Sequence, residues 1–210
     1  MTAALADGLS ALKLDADTPA RAKLTQYIAL LDKWNRTHNL TAIRDPEQMV
    51  THHLLDSLAV LEHLPDETGL RVLDIGSGGG LPGIPFAIVR PGWRVVLVDS
   101  NHKKAVFLRQ AVIELSLANV EVCATRAQDY AADPLFDIVI SRAFSDLATF
   151  ATIARRLLAP GGRLVAMKGL YPHEELELLP PDVLATHVPA IRVPGLDVQR
   201  HLVIMEPRGP

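Results

Sequence analysis

The chain has 210 residues, 49% of them hydrophobic and 21% charged, which supports one full core and excludes disorder. A formal net charge of -3 excludes a generally polybasic nucleic-acid binder, so any RNA contact must use a local basic face. A single cysteine, Cys123, excludes an internal disulfide and a multi-cysteine zinc site, and no other metal-ligand spacing stands out.

The N-terminus lacks the basic and apolar regions of a signal peptide, and no apolar run approaches the ~18 residues of a membrane span. A soluble, cytoplasmic, monomeric protein without membrane association is expected. The first third reads as helical. Thr18-Pro19 resembles an N-cap followed by proline, and Leu24, Tyr27, Ile28, Leu31 and Trp34 then recur at helical spacing. A polar stretch, 35–45, reads as a loop that gathers Asn35, Arg36, His38, Asn39 and Arg44. A second helix starts at Asp45-Pro46, with Gln48 in the capping-box position and an inward stripe of Val50, Leu54, Ser57, Leu58 and Leu61. His53, Asp56 and Ser57 look like a hydrolytic triad only on paper, since no oxyanion donors accompany them. They are expected to fix this helix against the glycine loop that follows.

From Leu70 strands and helices alternate. Strand-like runs cover 70–76, 94–99, 120–125, 136–141 and 162–169, separated by helical stretches at 82–89, 103–117 and 146–158. Short apolar strands alternating with helices predict βαβ units and a parallel sheet buried on both faces. The tail, 186–194 and 200–207, reads as two more strands forming a hairpin at one sheet edge. The expectation is an α/β, Rossmann-like fold with a mostly parallel seven-stranded sheet flanked by helices. A helical extension over 1–66 is expected to pack on a main domain over 67–210.

The stretch "VLDIGSGGGLPGIP", 72–85, places five glycines between the first strand and a helix, the setting of a nucleotide-cradling loop. Asp99 ends the second strand, where a ribose-hydroxyl acceptor belongs. Gly78 to Gly83 satisfy the dinucleotide pattern G-x-G-x-x-G, but only one such loop exists. Asp74 beside the loop would repel a pyrophosphate and favours the cationic S-adenosylmethionine, predicting a class I methyltransferase. "LLAPGGRLVAMKG" (157–169), with its Pro-Gly-Gly turn before a strand, agrees, and "TRAQDY" (125–130) occupies the place of an adenine-contacting segment.

"KWNRTHNLTAIRDPEQMVTHHLLDSLAV" (33–60), the glycine stretch, "LVDSNHKKAVFLRQ" (97–110), "ISRAF" and "MKG", in that order, resemble the RsmG/GidB family. The resemblance runs from about Leu24 to Val203. It implies S-adenosylmethionine-dependent methylation of N7 of guanine 527 in 16S ribosomal RNA, in the small subunit or its assembly intermediate. It also implies cofactor contacts at Gly76, Leu81, Ala127, Gln128 and Arg142, joined by Asp74, Gly78 and Asp99 from the loop reading. Gln128 stands where family members often carry Glu, and its amide carbonyl can still accept a hydrogen bond.

Methyl transfer from a sulfonium needs positioning rather than acid catalysis, and a ring nitrogen with a free lone pair needs no general base. Exocyclic-amine methylation typically uses an Asn/Asp-Pro-Pro-aromatic motif after strand four; this chain has Ser141-Arg142-Ala143-Phe144. Arg142 and Lys168 are the candidate catalytic residues. Arg142 is expected to touch cofactor, guanine O6 or phosphate, and Lys168 either binds phosphate as a point charge or is solvated. Phe144 either stacks on the target base or is buried. RNA-contact candidates are Arg36, Arg44, His53, Phe144, Lys168 and Arg200. Cys123 is expected to be a small core residue. The alternatives are a methyltransferase for another RNA or a small molecule, and a nucleotide-binding module without catalysis.

Overall fold

The computed structural model describes residues 2–14, 16–142, 144 and 146–208, so Ala143 of the Ser141–Phe144 stretch lies outside the described residues. Seven strands form one sheet: β1 (Arg71–Ile75), β2 (Arg94–Val98), β3 (Val120–Cys123), β4 (Phe136–Ser141), β5 (Leu158–Lys168), β6 (Val183–His187) and β7 (His201–Pro207). Their order is β3-β2-β1-β4-β5-β7-β6. The first five are parallel, and β7 runs antiparallel to both β5 and β6.

The pleat sends alternate residues to two cores. Val72, Leu97, Ile138 and Val165 face one core, shared with the N-terminal helices α1 (Thr2–Ala11) and α2 (Thr18–His38) and with α4 (Gly83–Val89) and α5 (His102–Glu114). Leu73, Val98, Val139 and Leu164 face the other, covered by α6 (Leu147–Ala154). Both faces are buried, so the strands read as continuous apolar runs. Among the described residues, no helix is long and apolar enough to cross a membrane.

The structure corrects several boundaries. Asp17, not Thr18, caps α2: its carboxylate accepts from Ala20 N at 2.8 Å, leaving Thr18 inside the first turn. The helix then continues to His38, so Asn35–His38 are helical, and Asn39 closes it in the left-handed conformation (φ 49°). β5 starts at Leu158, and the Pro-Gly-Gly segment read as a turn is a strand irregularity. Leu158 pairs with Phe136, the register shifts, and Arg163 pairs with Ile138. β6 lies earlier than the tail pattern suggested, because Pro189 and Pro194 cannot donate to a ladder; beyond His187 only Ala190 bridges to His201.

The second helix is one continuous helical segment, 46–63, called α3 here. Asp45 caps it by accepting from Glu47 N at 3.0 Å. It is α-helical over Pro46–Met49, π-helical over Val50–Leu55, α-helical again over Asp56–Leu58 and 3-10 over Ala59–His63. Its expected inward stripe, Val50, Leu54, Ser57, Leu58 and Leu61, is buried.

Candidate active site

The glycine loop joins β1 to α4 over the C-terminal end of the sheet. Gly78 sits at φ +58°, which lets its N–H donate to Asp99 Oδ2 at 2.8 Å. Asp99 Oδ1 accepts from Asn101 N, also at 2.8 Å. Two backbone amides thus fix the carboxylate, and each oxygen retains acceptor capacity toward the cavity. Gly83 is required by close approach: a Cβ there would stand 2.3 Å from Leu97 Cδ2 and 2.9 Å from Asp74 Oδ2.

Asp74 lies beneath this loop and is fully buried. Its Oδ2 accepts from Gly83 N at 2.9 Å, while Oδ1 has no hydrogen-bond partner among the described residues. Burial pushes this carboxyl up to about 7, against the pull of the Gly83 and Ser77 hydrogen bonds. From the other side, Tyr27 of α2 donates its hydroxyl to the Gly79 carbonyl, and burial holds the phenol protonated. Helix α2 therefore braces the loop directly.

In front of the loop opens a cavity of about 590 Å³, within the range of small-molecule sites. Gly76, Asp99, Ala127 and Gln128 line it, as do Val98, Thr125, Arg126, Phe144 and Thr149. Phe144 packs its ring 5.4 Å from Phe150 and belongs to this cavity's wall. Asp74, Gly78, Leu81 and Arg142 do not line it; the first three build the loop and its support. A fixed carboxylate beside apolar and backbone surfaces fits the ribose and base of S-adenosylmethionine.

A second, smaller cleft of about 190 Å³ lies at the ends of β4 and β5 and the start of β7, lined by Asp56, Arg142, Met167, Lys168, Gly169 and Arg200. Asp56, only 3% exposed, grips two arginines: Arg200 Nε donates to Oδ1 at 2.7 Å, and an Arg142 guanidinium nitrogen lies 3.3 Å from Oδ2. Arg142 also donates to the His52 carbonyl and reaches His53 Nδ1, both at 3.3 Å. His53 Nε2 stands 2.8 Å from Thr41 Oγ1. Burial, then the Arg142 charge, push the His53 imidazole down to about 4, so the ring is neutral at pH 7. Lys168 Nζ pairs with Glu175 at 2.7 Å and donates to the Phe144 carbonyl at 3.4 Å, which joins the cleft to the cavity.

These contacts correct three expectations. His53 and Asp56 hold Arg142 and Arg200 rather than the glycine loop; the segment Asp56–Leu58, with the buried Ser57, packs on α4 where the loop ends, and Tyr27 hydrogen-bonds the loop itself. Lys168 is neither a free point charge nor solvated, because its side chain is 12% exposed and paired with Glu175. Cys123 is half-buried at the edge of a core, and its thiol is pushed up to about 11 by burial and by Glu121, so it is no reactive thiolate. Arg36 pairs with Asp32 one helical turn away, and Arg44 donates to Asn39; both stay exposed on the surface.

The profile of the family described as "GidB: rRNA small subunit methyltransferase G" matches residues 20–203. The chain belongs to this family. Among its relatives, the "Ribosomal RNA small subunit methyltransferase G" of Nitrosospira multiformis is 54% identical over 98% of this chain and 97% of its own length. The protein of the same description from Chromobacterium violaceum is 53% identical over 97% of each. Solved structures share the fold of this GidB member at lower identity. A methyltransferase from Thiobacillus denitrificans in complex with S-adenosyl-L-homocysteine superposes with a TM-score of 0.56 and 15% identity, covering 85% of this chain and 97% of that one. One from Aquifex aeolicus gives 0.54 and 22%, covering 77% and 93%. The fold is the class I methyltransferase fold, and the GidB chain is an S-adenosylmethionine-dependent enzyme.

Sequence reasoning missed Tyr27 as the loop brace, Glu175 as the Lys168 partner, and Asp56 as the link between two arginines. Tyr27 carried one signal: a phenol in an otherwise aliphatic helical stripe needs a hydrogen-bond partner once buried.

Proposed function

We propose that the chain transfers a methyl group to N7 of guanine 527 in 16S ribosomal RNA, on the small subunit or its assembly intermediate. It acts as a cytoplasmic monomer without membrane contact. The observation that carries the choice of atom is the state of the cleft acids. Both oxygens of Asp56 hold arginines, and Glu175 holds Lys168 while its Oε2 also accepts from Leu147 N at 2.8 Å. Among the described residues lining the cleft, no uncommitted carboxylate is placed to take a proton from an attacking amine. A ring nitrogen attacks with a lone pair and has no proton to lose, so it suits this surface.

When bound, S-adenosylmethionine supplies an electrophilic methyl on a cationic sulfur whose departure needs no acid. The residues proposed to hold it are Gly76, Asp99, Ala127 and Gln128 in the cavity wall, with Asp74, Gly78 and Leu81 shaping the loop. Phe144 closes the wall on the side facing the cleft. Arg142, Lys168 and Arg200 surround the position of the guanine with positive charge, which suits O6 and the flanking phosphates. Positioning is then the main contribution of this chain to rate. Arg36, Arg44 and His53 complete the proposed RNA set, His53 acting from behind through Arg142.

The test is incubation of the protein with labelled cofactor and small subunits lacking the modification, followed by mass mapping of the product. Label at N7 of guanine 527 is expected; label on an exocyclic amine, or none, overturns the reading.

A further inference from the structure

Beyond the cleft, β5 runs out through Lys168 and Gly169 into Leu170 and Tyr171, which are 74% and 39% exposed. Tyr171 does not stand alone. Its ring centroid lies 4.4 Å from that of His173, tilted by 43°, and 5.5 Å from that of His201, edge-on at 84°. His201 is anchored in turn: it pairs with Lys168 in the β5–β7 ladder, and its Nδ1–H donates to the Gly169 carbonyl at 3.0 Å. Three rings thus meet at the rim of the arginine–lysine cleft, in a cluster the transfer chemistry does not use.

We infer that Tyr171, propped by His173 and His201, is a stacking platform for an unpaired base of the small-subunit RNA next to the target guanine. This rests on the ribosomal RNA reading proposed above. In an A-form RNA helix N7 lies in a deep, narrow major groove, so bringing it to a cofactor held in a cavity requires displacing the base, which leaves a neighbour with an unstacked face. Aromatic side chains are the usual replacement partner for such a face. A tyrosine held by two imidazoles has little rotamer freedom left to lose, so it receives the base at low entropic cost. Continuity supports the same occupant: Gly169 and Arg200 line the cleft, and His201, which follows Arg200 and donates to the Gly169 carbonyl, belongs to the platform. Acids are close by as well. Glu175 is neutralised by Lys168, and Glu174 and Glu177 are on the same short helix, α7 (His173–Glu177). The platform therefore works through stacking rather than through charge.

The test compares Tyr171→Ala, Tyr171→Phe and Tyr171→Leu on small subunits lacking the modification, with turnover and direct binding both measured. Tyr171→Ala should raise KM for subunits by about 5- to 150-fold, the range for loss of one base stack. Its kcat, its KM for the cofactor and the salt dependence of subunit binding should stay unchanged. Tyr171→Phe should bind within about twofold of the unaltered protein, since the π face is kept. Tyr171→Leu should stay as weak as the alanine variant. Wild-type behaviour of Tyr171→Ala overturns the platform. Full rescue by leucine also overturns it, because an apolar contact to a ribosomal protein then explains the surface. Absence of turnover by the unaltered protein on any subunit would instead remove the RNA reading itself.

Discussion

The cavity and the cleft share one sheet edge and are built by opposite means. The cavity is backbone architecture: amides of Gly78 and Asn101 fix Asp99, the amide of Gly83 fixes Asp74, and a carbonyl of the loop receives Tyr27. The cleft is side-chain architecture, in which Asp56, Arg142 and Arg200 come from three distant parts of the chain. The first arrangement is rigid before any ligand arrives. In the second, removing Asp56 takes from both arginines the one partner they share. The contrast suits the two ligands: a small cofactor of fixed shape, and a large RNA surface recognised through phosphates and a displaced base.

The sharpest way to break this contrast is Asp56→Ala. It leaves two guanidiniums without their carboxylate and should cost about 2–3 kcal/mol in urea unfolding, less than the 3–5 kcal/mol of fully buried pairs. The reduction follows because the Arg142 and Arg200 side chains keep 30% and 27% exposure. Cofactor affinity by calorimetry should stay near that of the unaltered protein while subunit affinity falls. An equal loss of cofactor affinity would show that the two regions are one unit.

On the cavity side, Asp74 adds a pH dependence. Its carboxyl titrates from 3.8 in the unfolded chain to about 7 in the folded one. Between those values the folded state holds the extra proton, so this residue's contribution to stability falls as pH rises from about 4 to about 7. Asp74→Asn, neutral throughout, should flatten that part of the profile by at least about 1 kcal/mol between pH 5 and pH 8. A profile left unchanged would mean the carboxyl is not raised.

Smaller effects refine the picture. Tyr27→Phe keeps the packing and loses one buried hydrogen bond to the loop, so stability should drop by about 0.5–1.5 kcal/mol. The cofactor Kd should rise several-fold with subunit binding unaffected. Smallest is Arg44→Ala on the exposed surface, expected to alter stability by less than about 0.5 kcal/mol. If Arg44 meets a phosphate, the slope of log affinity against log salt for subunits should shrink by about 1.

The same contrast explains what was legible in the sequence. Asp99 was legible because its role is local: a strand end one turn of the fold away from a glycine loop, with partners at Gly78 and Asn101. The strands of the parallel sheet were legible because both faces are buried and their apolar runs stand out. Asp56 was not, because its partners lie 86 and 144 residues downstream and nothing in the local pattern names them. Lys168 was misread for a similar reason: Glu175 lies on a helix of five residues with no buried stripe to announce it. The start of β5 was lost in a Pro-Gly-Gly segment that local rules assign to a turn, although pairing with Phe136 keeps it in the sheet. Tertiary pairing decided each of these positions, and a single chain read in order carries no trace of it.

The π-helical stretch Val50–Leu55 sets the angular phase of everything after it on α3. Such a stretch acts as one residue inserted into an α-helix, and one residue is about 100° of rotation. Rewinding the same residues as a regular α-helix would keep the hydrophobic content of the segment intact. It would also swing Asp56 about a quarter-turn away from Arg142 and Arg200. The extra residue thus works as a dial: it fixes which compass bearing of the helix the buried carboxylate occupies, and so decides whether the two arginines share one anchor.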